Sequence, residues 1–193
     1  MKPLICFYKN QYIRSDDFTL IEKEPSQTTV DFLNLIEKRY FTDFKIIQID
    51  FDAFATETII KKHYYNSPVA QVFIVHSHKV ISTDVLKTNL SAKDLPRFTP
   101  DTSQLTFCRN VEKIVADINA GRFYQVNLTA ALTADVPLID SYHLFKSYFP
   151  LFKANYAAFL PSKDFDILCF SPELFLLKKN SQLLSGLVPF QSK

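Results

Sequence analysis

The side chains able to do chemistry are few and scattered. Glu173 stands directly after Ser171 and Pro172 at the head of the apolar run LFLLKK. By residue type alone a glutamate there is a solvated strand-start residue; in a closed cleft, desolvation would raise its pKa and fit it to donate a proton. Gln125, Asn127 and Thr129 alternate with Tyr124, Val126 and Leu128, a polar stripe that suits either the support of an active site or an ordinary hydrogen-bonded sheet face. His76 and His78 have the spacing of a metal-binding pair but no third ligand beside them, which reads as a surface pair. Lys61, Lys62 and His63 are too few for a polyanion site and read as a solvated helix face. Cys6, Cys108 and Cys169 are odd in number and far apart, so they make neither a zinc knuckle nor a disulfide set. Cys169, between Leu168 and Phe170, reads as core packing. The cysteine pattern suits a reducing compartment, the cytoplasm.

Whole classes of function drop out on composition. With two glycines in 193 residues there is no phosphate-cradling loop and no dinucleotide fingerprint. A formal charge of +2, from 22 basic and 20 acidic residues, gives no ground for nucleic acid or an anionic membrane as partner. No apolar stretch approaches the roughly 20 residues of a membrane span, and the start MKPLICFYKNQ is too soon interrupted for a signal peptide. A hydrophobic content of 47% supports one ordinary core or a large part of a bigger one. Nineteen phenylalanines and nine tyrosines without tryptophan predict a sheet-rich interior of mixed α and β type.

The elements that must position these residues follow from periodicity. PLICFYK reads as a strand, and Val30, Leu33 and Ile36 form one helical face over residues 28–40. Residues 44–51 and 69–77 read as strands, with a weaker helix over ATETIIKKHYY between them. Residues 84–102 are polar, contain Pro96 and Pro100, and read as a connecting loop. That loop divides the chain into regions 1–100 and 101–193. Cys108, Val111, Val115 and Ile118 predict a helix that Gly121 terminates, feeding directly into a strand over RFYQVNLTAAL. A helix over residues 139–148, stopped by Pro150, then leads to strands ANYAAFL, DILCF and ELFLLKK, with turns at 161–164 and at Pro172.

The runs INAGRFYQVNLTAAL and FSPELFL, about forty residues apart, carry a family likeness. They resemble, in order and spacing, the I-x-x-G-[DR]-[IF]-[YF]-Q-V-N-L-[ST] and S-P-E-[RL]-[FL]-[LV] segments of chorismate-utilising synthases of the aminodeoxychorismate and anthranilate synthase component I type. PLFKANYAAFL between them looks like the family strand after a proline-rich turn, and LLSGLVPFQSK falls at the family's P-[IL]-[KA]-G-T segment. The likeness is specific from Ser103 to Leu177 and rests on strand order alone before that. It implies that Glu173 is the general acid that protonates the C4 oxygen of chorismate, and that Gln125, Asn127 and Ser171 contact substrate. It also implies that Gln191 replaces the lysine nucleophile of aminodeoxychorismate synthases, with Ser192 at the glycine position and Lys193 two positions too late. In the family the ligands of Mg²⁺ and the groups that clasp the chorismate carboxylates lie beyond this sequence, so no metal site is expected in the chain itself. A tryptophan pocket that many members keep would be lined by Asn155, Tyr156 and Ala157.

The fold implied is α+β: part of the chorismate-utilising-enzyme fold, a two-sheet β-sandwich core with outer helices, truncated at the P-I-K-G-T position. The implied function is that of a truncated aminodeoxychorismate synthase component I-like protein, converting chorismate and glutamine-derived ammonia for para-aminobenzoate and folate, and inactive alone. The alternatives are a non-catalytic module that docks a glutamine amidotransferase subunit, or an anthranilate synthase component I-like fragment of tryptophan biosynthesis. Implied partners are that amidotransferase or a separately encoded C-terminal half. An exposed inner sheet also predicts self-association.

Overall fold

The computed structural model describes residues 2–8, 11–50, 53, 70–86, 96–136, 140–152, 154–179 and 181–186. They fall into two compact units, one of Met1–Asn89 with Asp140–Lys193 and the other of Leu90–Ile139. The predicted helix over ATETIIKKHYY, with Lys61, Lys62 and His63, lies outside the described residues, as do Gln191, Ser192 and Lys193.

The first unit is built on a six-stranded antiparallel sheet. Its strands are β1 (Leu4–Tyr8), β2 (Gln11–Glu22), β3 (Phe44–Ile49), β4 (Ala70–Ile81), β7 (Tyr156–Pro161) and β8 (Asp166–Ser171), ordered β3-β4-β2-β1-β7-β8. The mixed α and β class is as the composition predicts. β2 has no counterpart in the expectations above, because Ser15, Asp16 and Asp17 interrupt its alternation. In the structure that interruption is a bulge: the β2–β4 register shifts between Arg14 and Asp17 and again between Asp17 and Phe18. The extra residues turn the strands and let the sheet curl.

The curl sorts the apolar residues into two layers. On one face Leu4, Phe73 and Leu160 are buried together, with Phe18, Leu20, Ile46 and Ile167 packed against them. Residues of β3 and β4 thus meet residues of β7 and β8, from opposite ends of the strand order, so this face is concave. The convex face carries two helices, α1 (Thr29–Arg39) and α3 (Ser141–Phe152). Phe32 and Ile36 of α1 pack on Ala70, Val72 and Ile74, while Phe145 and Phe149 of α3 pack on Ile5, Tyr12, Ala157 and Phe159.

α1 begins where the Thr28 hydroxyl accepts from the Asp31 amide at 3.1 Å, with Asp31 in the first turn and Lys38 and Arg39 in the last, matching the helix dipole. Its buried stripe is centred on Phe32 and Ile36; Val30, placed on that stripe by spacing, is exposed. α3 runs two residues past Pro150, so the proline lies inside its last turn rather than stopping it. Only two helical residues follow it, so a single missing N–H is the cost there, and Phe149 and Phe152 on either side hold the turn against aromatic neighbours. The stretch read as a polar loop also feeds the core: after a 3₁₀ turn at Thr83–Leu86, Leu86 is fully buried against the α3 cluster. Lys2 ties the chain start to this helix, its Nζ donating to Ser141 Oγ at 2.9 Å and to Asp166 Oδ2 at 2.5 Å.

Beyond β8 the chain forms a separate antiparallel hairpin, β9 (Leu174–Lys179) with β10 (Gln182–Gly186). Cys169 is exposed on the sheet's edge strand β8 rather than packed in the core. His76 and His78 make separate contacts: His76 Nε2 lies 2.8 Å from Thr19 Oγ1, and His78 packs edge-on against Phe44.

The second unit holds α2 (Gln104–Asn119), capped by Ser103 and followed by Gly121 at φ 72°, as its spacing predicts. Its apolar stripe stays uncovered among the described residues: Val111 and Val115 are exposed, and the helix buries nothing. The strand expected over RFYQVNLTAAL is not there. Residues 123–131 are irregular, and only a two-residue pairing of β5 (Thr99–Pro100) with β6 (Leu132–Thr133) follows. A strand needs neighbours for its backbone groups, and along that stretch only Ala131, whose carbonyl accepts from the Asp101 amide at 2.9 Å, is seen to meet one among the described residues.

Candidate functional site

The residues FSPE form one tight, well-supported turn between β8 and β9. Ser171 Oγ donates to the Glu173 carbonyl at 2.9 Å and accepts from the Glu173 amide at 3.4 Å, so the serine folds the backbone over Pro172. Asn155 Nδ2 donates to the Pro172 carbonyl at 3.4 Å from the neighbouring strand end, where Tyr156 pairs with Ser171. Asn155 is held in turn, its carbonyl accepting from Tyr12 Oη at 3.3 Å.

Immediately before the turn, Phe170 lies between two rings of α3. It stacks on Phe145 with centroids 5.2 Å apart and on Phe152 at 5.0 Å, the planes tilted by 16° and 18°. Offset aromatic pairs of this kind contribute about 0.5–1.5 kcal/mol each beyond area burial. The turn that carries Glu173 is therefore anchored on a helix, through residues the sequence reading did not single out. Phe145, Phe149 and Phe152 recur at helical spacing, and that pattern is the signal from which the anchor was legible.

Ser171 is half-buried and Glu173 exposed. The closed cleft expected around Glu173 is thus not formed by the described residues. Gln125, Asn127 and Thr129 belong to the other unit, on its irregular stretch, and all three are exposed. Beside them Arg122 pairs with Asp117, and Ile118, Gly121, Phe123 and Tyr124 line an open depression. Among the described residues no three His, Cys, Asp or Glu side chains converge on a metal position. No helix among them is long and apolar enough to cross a membrane.

The SPE turn at the end of an antiparallel strand pair, the Gly-terminated helix and the GRFYQVNLT run all lie within the stretch that a family model matches. The chorismate binding enzyme family model matches residues 24–188, and the chain belongs to that family. Among curated proteins it is similar to aminodeoxychorismate synthase component 1 of Bacillus subtilis (strain 168), 35% identical over 77 residues, which cover 40% of this chain and 16% of that protein. No solved structure matches the chain.

Proposed function

We propose that the chain serves the amination of chorismate as an aminodeoxychorismate synthase component 1-like protein, with Glu173 as the acid that protonates the departing C4 hydroxyl. The observation that carries this reading is the Ser171–Pro172–Glu173 turn, locked by Ser171 and Asn155 and found in a member of the chorismate-binding family. Hydroxide is a poor leaving group, since bulk water has a pKa of about 15.7, so a carboxylic acid must be held at the leaving oxygen. A fixed backbone supplies position, and a partner that covers the turn would supply the desolvation that keeps such an acid protonated.

On this reading the fold is part of a two-sheet sandwich and the chain alone does not turn over chorismate. Ammonia would come from a glutamine amidotransferase subunit, and the remaining catalytic groups from outside these 193 residues. The product feeds para-aminobenzoate and folate synthesis. Two measurements test it. The purified chain with chorismate, ammonia and Mg²⁺ should form neither aminodeoxychorismate nor anthranilate; product formation would refute inactivity alone. In a para-aminobenzoate auxotroph that retains only the C-terminal part of component 1, the chain should restore growth and its Glu173→Gln variant should not. Failure of the wild-type chain there, or equal growth with the variant, counts against the reading.

A further inference from the structure

We infer that Tyr12 of β2, acting through Asn155, is a positioning residue for the turn that carries Glu173, an inference that rests on the reading of Glu173 as the acid. Tyr12 and the turn are far apart in the chain, and β1 and β7 lie between β2 and β8 in the sheet. The Tyr12 ring is 6% exposed and is gripped edge-on by Phe7 and by Phe149, each with its centroid 5.3 Å away. Its hydroxyl is therefore a fixed point of the core. That hydroxyl donates to the Asn155 carbonyl at 3.3 Å, and Asn155 Nδ2 donates to the Pro172 carbonyl at 3.4 Å. Two hydrogen bonds in series thus join the core to the peptide unit that leads into Glu173.

That peptide unit is held at both of its polar ends, its oxygen by Asn155 and its N–H by Ser171 Oγ at 3.4 Å. A peptide is planar, so the two contacts fix the direction in which the Glu173 side chain leaves the backbone. Ser171 belongs to the turn and moves with it, whereas Asn155 is tied through Tyr12 to another part of the sheet. Glu173 is exposed and Ser171 holds only its backbone, so the aim of the carboxyl follows the orientation of that peptide. Proton transfer to a leaving oxygen is sensitive to aim: a misplacement of about 1 Å can cost about 10²-fold in rate. Core packing alone does not call for the hydroxyl, since the other buried rings of the same cluster, Phe145, Phe149 and Phe159, carry none. Burial pushes the Tyr12 phenol up from 10.0, with the Ala157 backbone pulling it the other way, so it keeps its proton and stays a donor at neutral pH.

Tyr12→Phe and Asn155→Ala each remove one donor of the series and keep every backbone group. In the 193-residue chain each should loosen the Glu173 amide, read as a lower order parameter from NMR relaxation, with the amides of Ile5 and Phe159 unchanged. In an assembly that aminates chorismate each should lower kcat by about 10- to 100-fold with KM unchanged. The double variant should fall no further than the worse of the two single ones, because the bonds act in series. Should Tyr12→Phe fail to fold, Asn155→Ala decides alone, since that residue is exposed. The two failures are separable: an assembly of the wild-type chain that makes no product sinks the amination reading, and the order parameter of Glu173 then decides the link by itself. A Glu173 amide unmoved by both substitutions, additive losses in kcat, a raised KM with kcat intact, or a loss of activity only in proportion to lost folded protein would each overturn the role of Tyr12.

Discussion

Tyr8 of β1 and Phe44 of β3 face each other with ring centroids 4.6 Å apart, although β2 and β4 lie between their strands in the sheet. Only a strongly curled sheet brings them together, and the same curl seals Phe73 against Leu4 and Leu160. Phe73→Ala should therefore cost about 3–5 kcal/mol, as for a large aromatic removed from a closed core. Phe44→Ala, at the half-buried rim, should cost no more than about 1.5 kcal/mol. Urea unfolding of the two variants checks the order; equal losses would mean that the rim contact governs the curl.

Glu173→Gln should leave the unfolding midpoint unchanged, within about ±0.5 kcal/mol, because the side chain is exposed and it is the backbone that Ser171 holds. In any assembly that aminates chorismate, the same variant should lose about 10²–10⁴-fold in kcat, the usual contribution of a positioned acid. A variant that is destabilised but fully active would assign Glu173 a structural role instead.

Burial pushes the Cys6 thiol up from 9.0 to about 12. Between those pH values the folded chain keeps a proton that the unfolded chain releases, so stability falls as pH rises through the window and is unaffected below pH 9. Cys6→Ala should flatten that alkaline loss, as read from thermal midpoints between pH 8 and 11. At pH 8 a thiol reagent should label exposed Cys108 promptly and Cys6 only on unfolding.

Gly121→Ala should destabilise the Leu90–Ile139 unit by about 1–2 kcal/mol, the usual penalty for an L-residue in the left-handed region. No atom lies within 4 Å of the position a Cβ would take, so the effect is conformational and not steric. Gly121→Asn, which tolerates that region better, should recover part of the loss in helix content followed by circular dichroism.

Local elements were legible where a single chain segment carries the whole signal. Thr28, Ser103 and Gly121 mark helix ends by their own chemistry, and α1, α2, β1, β3, β7 and β8 lie where periodicity places them. The SPE turn was legible for the same reason, since Ser171 reaches the backbone of Glu173 two residues on. Pro150 misled because the penalty for a proline falls near a helix end, where few bonds remain to be lost. β2 was missed because a bulge breaks its alternation, and bulges are set by the partner strand.

The sequence by itself determined the family, the helix ends and the turn that holds Glu173, all of which rest on residues within a few positions of one another. Which apolar stripes find cover was decided only in three dimensions. Ile36 and Phe145 are buried while Val115 of α2 and Phe175 of β9 stand exposed, although all four belong to runs with an apolar pattern. Periodicity states that a face is apolar; burial depends on whether another segment arrives to remove it from water. The bulges of β2 and β4 curl the first sheet around its own core. Along residues 123–131 no strand arrives among those described, and Tyr124 to Asn127 and Thr129 stand exposed while Leu128 is half-buried.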